Sequence, residues 1–174
     1  MIAISPQVDE LIEMTSTPRP SGFAELYDRH YETVFRTALR VTGNPADAED
    51  VLQTVFLRVL SGAEPEGAAG RPAAYFRRAA VNAAVDLLRR RAVHAATTYD
   101  DQAAHAAVEP TLLLKQRLRR AIANLDPDDA SLFLLRFVEG LSNQELADMF
   151  QLEKNNVAVR LHRIRLRLQE EMNR

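Results

Sequence analysis

The sequence predicts an all-α protein made of two small helical domains joined by a flexible linker, the second domain containing a helix-turn-helix. Three observations carry that expectation. Apolar residues recur at three- and four-residue steps, with no sustained apolar–polar alternation to mark a strand. Helix formers are abundant and there are only six glycines in 174 residues. Finally, Ser142 to Leu168 reads as a helix, a three-residue turn and a second, strongly basic helix.

Composition sets bounds. A 47% hydrophobic content suffices for packed cores, in one ordinary domain or two small ones. With no cysteine, disulfides, thiolate metal sites and cysteine nucleophiles are excluded. The first thirty residues lack a basic start and an apolar run of signal-peptide length, and no stretch approaches a membrane span, so a cytoplasmic protein without membrane insertion is expected. The net charge of −2 hides a division. Residues 71–91 carry six arginines against Asp86 alone, and residues 154–167 carry five basic residues and no acidic one. Two concentrated positive patches suit two contacts with a polyanion, while the acidic remainder suits a basic protein partner.

In chain order, residues 1–21 read as a flexible tail with Pro6, Pro18 and Pro20. A first domain spans residues 22–92. Its first helix, from Phe23 to about Val41, has an apolar stripe of Phe23, Leu26, Tyr27, His30, Tyr31, Val34, Phe35, Ala38 and Leu39, and Gly43 suits the position after its end. Asn44 caps the next helix, Pro45 opens it, and Val51, Leu52, Val55, Phe56 and Val59 form its seam. The opposite side presents Asp47, Asp50, Thr54 and Arg58, flanked by Glu49 and Gln53. After a glycine-rich connector at 61–70, Pro72 opens a long basic helix to about Arg91 or slightly beyond. Residues 93–110 form the expected linker.

The second domain spans residues 111–174. Leu113, Leu114, Leu118, Ala121, Ile122 and Leu125 are its first seam. Asp126 and Pro127 start a helix expected to bury Leu132, Phe133, Leu135 and Phe137 before Gly140. Ser142 and Glu145 have the spacing of a capping box, and Leu146, Met149 and Phe150 share one face. In the last helix Val157, Leu161, Ile164 and Leu168 are the seam. Lys154, Arg160, Arg163, Arg165 and Arg167 supply its charge, and Asn155 and Asn156 at its start have the amide geometry that pairs with adenine in a major groove.

Three segments, DAEDVLQTVFLRV at 47–59, RPAAYFRRAAVNAAVDLLRRR at 71–91 and LDPDDASLFLLRFVEGLSNQELADMF at 125–150 with the basic helix after it, together resemble the extracytoplasmic-function (ECF) sigma factors of bacterial RNA polymerase, within the sigma-70 family. The resemblance covers residues 22–172. It implies a transcription initiation factor that binds core RNA polymerase, directs it to promoter DNA, and is commonly held by an anti-sigma protein. Residues 22–92 then correspond to sigma domain 2, and residues 111–174 to sigma domain 4. Asp47, Glu49, Asp50 and Gln53 are the implied polymerase-binding positions. Tyr75, Arg77, Arg78, Asn82, Arg89 and Arg90 are the implied minus-10 contacts, with Tyr75 either a stacking surface or a core aromatic. Lys154, Asn155, Asn156, Arg160 and Arg163 are the implied minus-35 contacts. Gln151 stands where the family usually has glycine, so either a non-glycine residue takes a left-handed conformation or the turn differs.

Three other classes stand against this reading. A self-sufficient helix-turn-helix regulator needs no strand-opening patch at 71–91. A metal or hydrolytic enzyme needs ligand or nucleophile spacing that His30, His94, His105 and His162 do not have, so neither catalytic residues, metal nor cofactor is expected. A pure adaptor that binds protein but not DNA is the remaining alternative, and promoter activity left intact by charge reversal at Arg160 and Arg163 would favour it.

Overall fold

The structure is a computed structural model that describes residues 23–61, 72–97 and 110–173. Among the described residues there are seven helices: α1 (Phe23–Thr42), α2 (Pro45–Leu60), α3 (Pro72–Thr97), α4 (Pro110–Ala123), α5 (Pro127–Phe137), α6 (Asn143–Phe150) and α7 (Lys154–Asn173). The expected tail, most of the glycine-rich connector and the centre of the expected linker lie outside the described residues. Helix α3 continues to Thr97, into the first residues of that expected linker.

Helices α1, α2 and α3 pack pairwise into an N-terminal bundle. Val34, Ala38, Val51, Val55, Phe76, Ala80, Val81 and Ala84 fill its centre, each at most 2% exposed. The alanines on α3 let the helix axes approach closely, and the large rings sit at one end, where Phe56 stacks on Phe76 at 5.5 Å. Asn44 caps α2 by accepting from the Ala46 and Asp47 amides at 2.9 and 3.4 Å. Tyr27 and Tyr31 depart from expectation, being 36% and 47% exposed. The α1 stripe is wider than the arc its two neighbours cover, so these rings stack on each other at its edge, 5.8 Å apart.

His30 is buried and stacks on Phe76 at 4.4 Å, with no hydrogen-bond partner for Nε2 among the described residues. Burial lowers its pKa from the ordinary 6.5, and nearby Arg29 lowers it further. A lowered folded-state pKa means the unfolded chain takes up the proton first. His30 therefore leaves stability undiminished above the ordinary value and reduces it as pH falls below that value toward the lowered one. Thermal melts at about pH 7.5 and pH 5.5 test this: wild type loses more stability across the interval than His30→Phe, which keeps the ring stack and carries no proton.

Helices α4 to α7 form the C-terminal bundle, α7 crossing α4, α5 and α6. Ser142 completes a reciprocal capping box at the start of α6. Its Oγ accepts from the Glu145 amide at 3.2 Å, and its own amide donates to Glu145 Oε2 at 2.7 Å. Gln151 ends α6 in the left-handed conformation, φ 54° and ψ 43°, so the turn keeps its geometry at the expense of a strained residue. Gln151→Gly is expected to raise the stability of the bundle by about 1 kcal/mol, measured by denaturant unfolding.

Two seams were misplaced. Leu113, Leu114 and Leu118 are 38–55% exposed, because only the last turn of α4, with Ala121 and Ile122, is buried. Phe137 is half exposed and Phe133 only partly covered, while Leu134 is buried. The cause is that α5 packs against α3 on one side and against α6 and α7 on the other. Its buried arc is wide and rotated toward Ala130, Leu134 and Leu135.

The two bundles share one apolar core, α3 packing on α4 and α5. Polar ties fasten the seam. Arg119 donates from Nε to the Val41 carbonyl at 3.1 Å, and its guanidinium occupies the space where a side chain on Gly43 would project. Gly43 has φ +69°, a left-handed conformation that favours glycine, whereas the Arg119 guanidinium is the flexible end of its side chain.

Candidate nucleic-acid interface

Helix α7 presents the positions expected to meet duplex DNA. Val157, Leu161, Ile164 and Leu168 are buried, which turns Lys154, Asn155, Asn156 and Arg163 outward, all of them exposed. Arg160 lies on the flank, half withdrawn. Its Nε donates to Asp129 Oδ1, and its Nη2 is 3.9 Å from Asp126 Oδ1, both on the start of α5. It is thus tied to its own bundle, unlike Arg163. Val159, one turn after Asn155 and one before Arg163, is 50% exposed in the middle of the outward face. Sequence reasoning passed over it; the signal was an apolar residue outside the seam of a basic helix.

Helix α3 carries the other set. Tyr75 is partly buried and meets Phe76 edge-on at 5.2 Å, joining a stacking ring to the core rather than standing clear of it. Arg77 Nε lies 4.0 Å from Glu139 Oε2, and the same carboxylate accepts from Arg40 at 3.0 Å. Arg78 donates to the Met149 carbonyl at 2.8 Å with its guanidinium 4.4 Å above the Phe150 ring. Asn82 Oδ1 accepts from Ser131 Oγ at 2.5 Å. Arg89 donates to the Ala123 carbonyl at 3.0 Å and to the Leu125 carbonyl. Arg90 is exposed. Five of the six expected minus-10 residues therefore lie along the side of α3 that faces the C-terminal bundle or the core.

Helix α2 divides the expected polymerase-binding residues. Glu49, Asp50 and Gln53 are exposed within one arc of the helix. Asp47 is 1% exposed and pairs with Arg91 at the far end of α3, a correction to its expected place on the outer face. The reason is positional: residue 47 shares its side with Val51 and Val55, four and eight steps on, which are the seam. Leu57, 63% exposed, continues the arc of Asp50 and Gln53 and was missed. An exposed leucine beside an already complete seam is the signal that could have found it.

No helix of the described residues is long and apolar enough to cross a membrane, and no cluster of three or more His, Asp or Glu among them could hold a metal ion.

The first bundle matches the sigma-70 region 2 family model over residues 26–93, and the second matches the sigma-70 region 4 model over residues 115–168. A chain with both regions in this order is a sigma-70 family transcription initiation factor. Relatives narrow it further. CarQ, an RNA polymerase sigma factor of Myxococcus xanthus, is 32% identical over 82% of this chain and 84% of its own length. SigL of Mycobacterium tuberculosis, an ECF RNA polymerase sigma factor, is 30% identical over 83% of this chain and 88% of its own. SigE of Mycolicibacterium smegmatis is 29% identical over 84% of this chain, a match that spans 60% of that longer protein. Among solved structures, RpoE of Bartonella quintana, in complex with the anti-sigma factor NepR, matches 87% of this chain and 96% of its own with a TM-score of 0.48 at 17% identity. The chain belongs to the ECF sigma factors.

Proposed function

We infer that this protein binds core RNA polymerase in the cytoplasm and directs it to specific promoters, contributing recognition and strand opening but no catalytic group of its own. The observation that carries this is the combination, in one chain, of an exposed basic helix suited to a major groove with a second arginine-rich helix, α3, that a duplex-binding regulator would not need. The outward face of α7, through Lys154, Asn155, Asn156, Val159 and Arg163, reads the minus-35 duplex. Asn155 and Arg163 supply base-edge hydrogen bonds, and Val159 supplies an apolar contact for a thymine methyl.

Tyr75, Arg77, Arg78, Asn82, Arg89 and Arg90 hold the unpaired minus-10 strand, with stacking from the ring, base-edge bonding from the amide and phosphate contacts from the arginines. Glu49, Asp50, Gln53 and Leu57 dock on a basic, partly apolar surface of the polymerase. An anti-sigma protein competing for these surfaces is the expected inhibitor. Residues 22–92 act as sigma domain 2, residues 111–174 as sigma domain 4, and residues 93–110 as the linker between them.

The deciding experiment is transcription in vitro with core polymerase on a promoter library. Factor-dependent transcripts from a shared promoter motif are expected; failure to bind core polymerase, with tight duplex binding by the chain alone, would sink this reading in favour of a self-sufficient regulator.

A further inference from the structure

Helix α7 carries one titratable group that the reading of the minus-35 duplex leaves unused. His162 is exposed and has no hydrogen bond or ion pair among the described residues. Seven residues separate it from Asn155, close to two full turns, so the two side chains lie along one line of the helix with Val159 between them. That line is outward, since Val157, Leu161 and Ile164 fill the seam on the other side. Along the axis His162 stands about 10 Å beyond Asn155, and a major groove is about 12 Å wide. With the start of α7 at the base edges, the imidazole falls at the groove rim, where the phosphates are. Arg163, at the same level, is long enough to reach back to a base; the short histidine ring is not.

The two flanks of the helix differ. Two residues along a helix turn by about 200°, so Arg160 and His162 point to opposite sides. The Arg160 side is closed by Asp126 and Asp129 on the start of α5. The His162 side is open, and the other acidic groups of the packed helices do not pair with it. On α6, Glu145 closes the cap with Ser142 and Asp148 accepts from Gln144. On α5, Asp128 stands exposed in the first turn. Helix α4 has no acidic residue and carries Lys115, Arg117, Arg119 and Arg120. On α7 itself the nearest charges are Arg163 and Arg165, with Glu170 and Glu171 about two turns further on. A DNA phosphate supplies the negative partner that the described residues do not.

From this we propose that His162 is a proton-dependent backbone contact of the minus-35 duplex: protonated, its ring pairs with a phosphate at the groove rim, and neutral, it leaves that phosphate to its counterion. The inference rests on the assignment of the outward face of α7 to that duplex. Lysine and arginine contacts keep their charge throughout the physiological range, whereas imidazole changes its charge between about pH 5 and pH 8. By linkage, a proton that strengthens DNA binding is itself held more tightly in the complex, so the grip on the promoter tightens as pH falls.

A phosphate contact is independent of sequence, so anisotropy titrations of the full-length protein with a fluorescent random-sequence duplex of about 25 base pairs, at about pH 6 and pH 8 and several salt concentrations, supply the test. For wild type the slope of log K against log salt should be steeper by about 0.9 at the lower pH, with binding about fivefold tighter near 0.1 M salt. His162→Gln should show the shallow slope at both pH values, and His162→Lys the steep slope at both. His30, His94, His105 and the N-terminus are common to all three proteins, so their contributions cancel in the comparison. Equal pH dependence in wild type and His162→Gln would overturn the proposal, as would a slope in His162→Lys no steeper than in His162→Gln. The assignment of α7 is judged separately by Arg163→Ala. Unchanged binding there removes α7 from the interface, whereas weaker binding there together with equal pH dependence in wild type and His162→Gln leaves α7 on the DNA and the imidazole off it.

Discussion

Asp50→Arg is expected to lower capture of core polymerase by about a hundredfold, since it places like charge on a face read as meeting a basic surface, where such juxtaposition costs several kcal/mol. Its thermal midpoint should stay at the wild-type value, because residue 50 is exposed and its side chain is not used by the fold. Asp47→Ala, three residues earlier, should behave in the opposite way. It removes the buried partner of Arg91 and should destabilise the N-terminal bundle by about 1–3 kcal/mol, short of the full cost of breaking a buried pair because Arg91 can return to water. Pull-down and denaturant unfolding on the two variants separate the roles. If Asp47→Ala unfolds as wild type does while losing polymerase, the assignment of Asp47 to the fold is wrong.

The second large effect concerns the basic helix. Arg163→Ala should cost about 1–3 kcal/mol of minus-35 affinity and relax discrimination at one base pair, the loss expected of a base-edge contact. Arg160→Ala should cost less affinity, because that guanidinium is already committed to Asp129 and Asp126 at the start of α5. Val159→Ala should weaken selection at a thymine and leave the salt dependence of binding unchanged, since no phosphate contact is lost. Titrations of each variant against a selected promoter duplex at several salt concentrations provide the check. Equal losses at 160 and 163 would mean that the ties to α5 do not restrain Arg160 on DNA.

Much of this architecture is legible locally. The caps at Asn44, Asp126 and Ser142 and the seam of α7 follow from short-range spacing, and the structure carries them as expected. What spacing does not reveal is how much of an apolar arc has a neighbour. The α4 leucines and Phe137 satisfy helical periodicity yet lie exposed, because the burial of α5 is set by α3, some fifty residues away in sequence. The candidate sites divide on the same ground. Asn155, Asn156 and Arg163 needed only the seam of their own helix to be placed. Asp47, Arg89 and Arg160 could be assigned only with their partners, at residues 91, 123–125 and 126–129, in view.

Arg89, Arg90 and Arg91 form a single block of charge in the sequence, but each residue along a helix turns its side chain by about 100°. Arg89 reaches back to α4, Arg91 crosses to Asp47 on α2 while still 58% exposed, and Arg90 faces water. Three identical letters thus act as three compass bearings. Charge counted along the chain overstates what a polyanion meets at that helix end. It also means that equal Arg→Ala changes at adjacent positions should yield three distinct phenotypes: a loosened seam between bundles together with a weaker hold on DNA, a weaker hold on DNA alone, and a less stable first bundle.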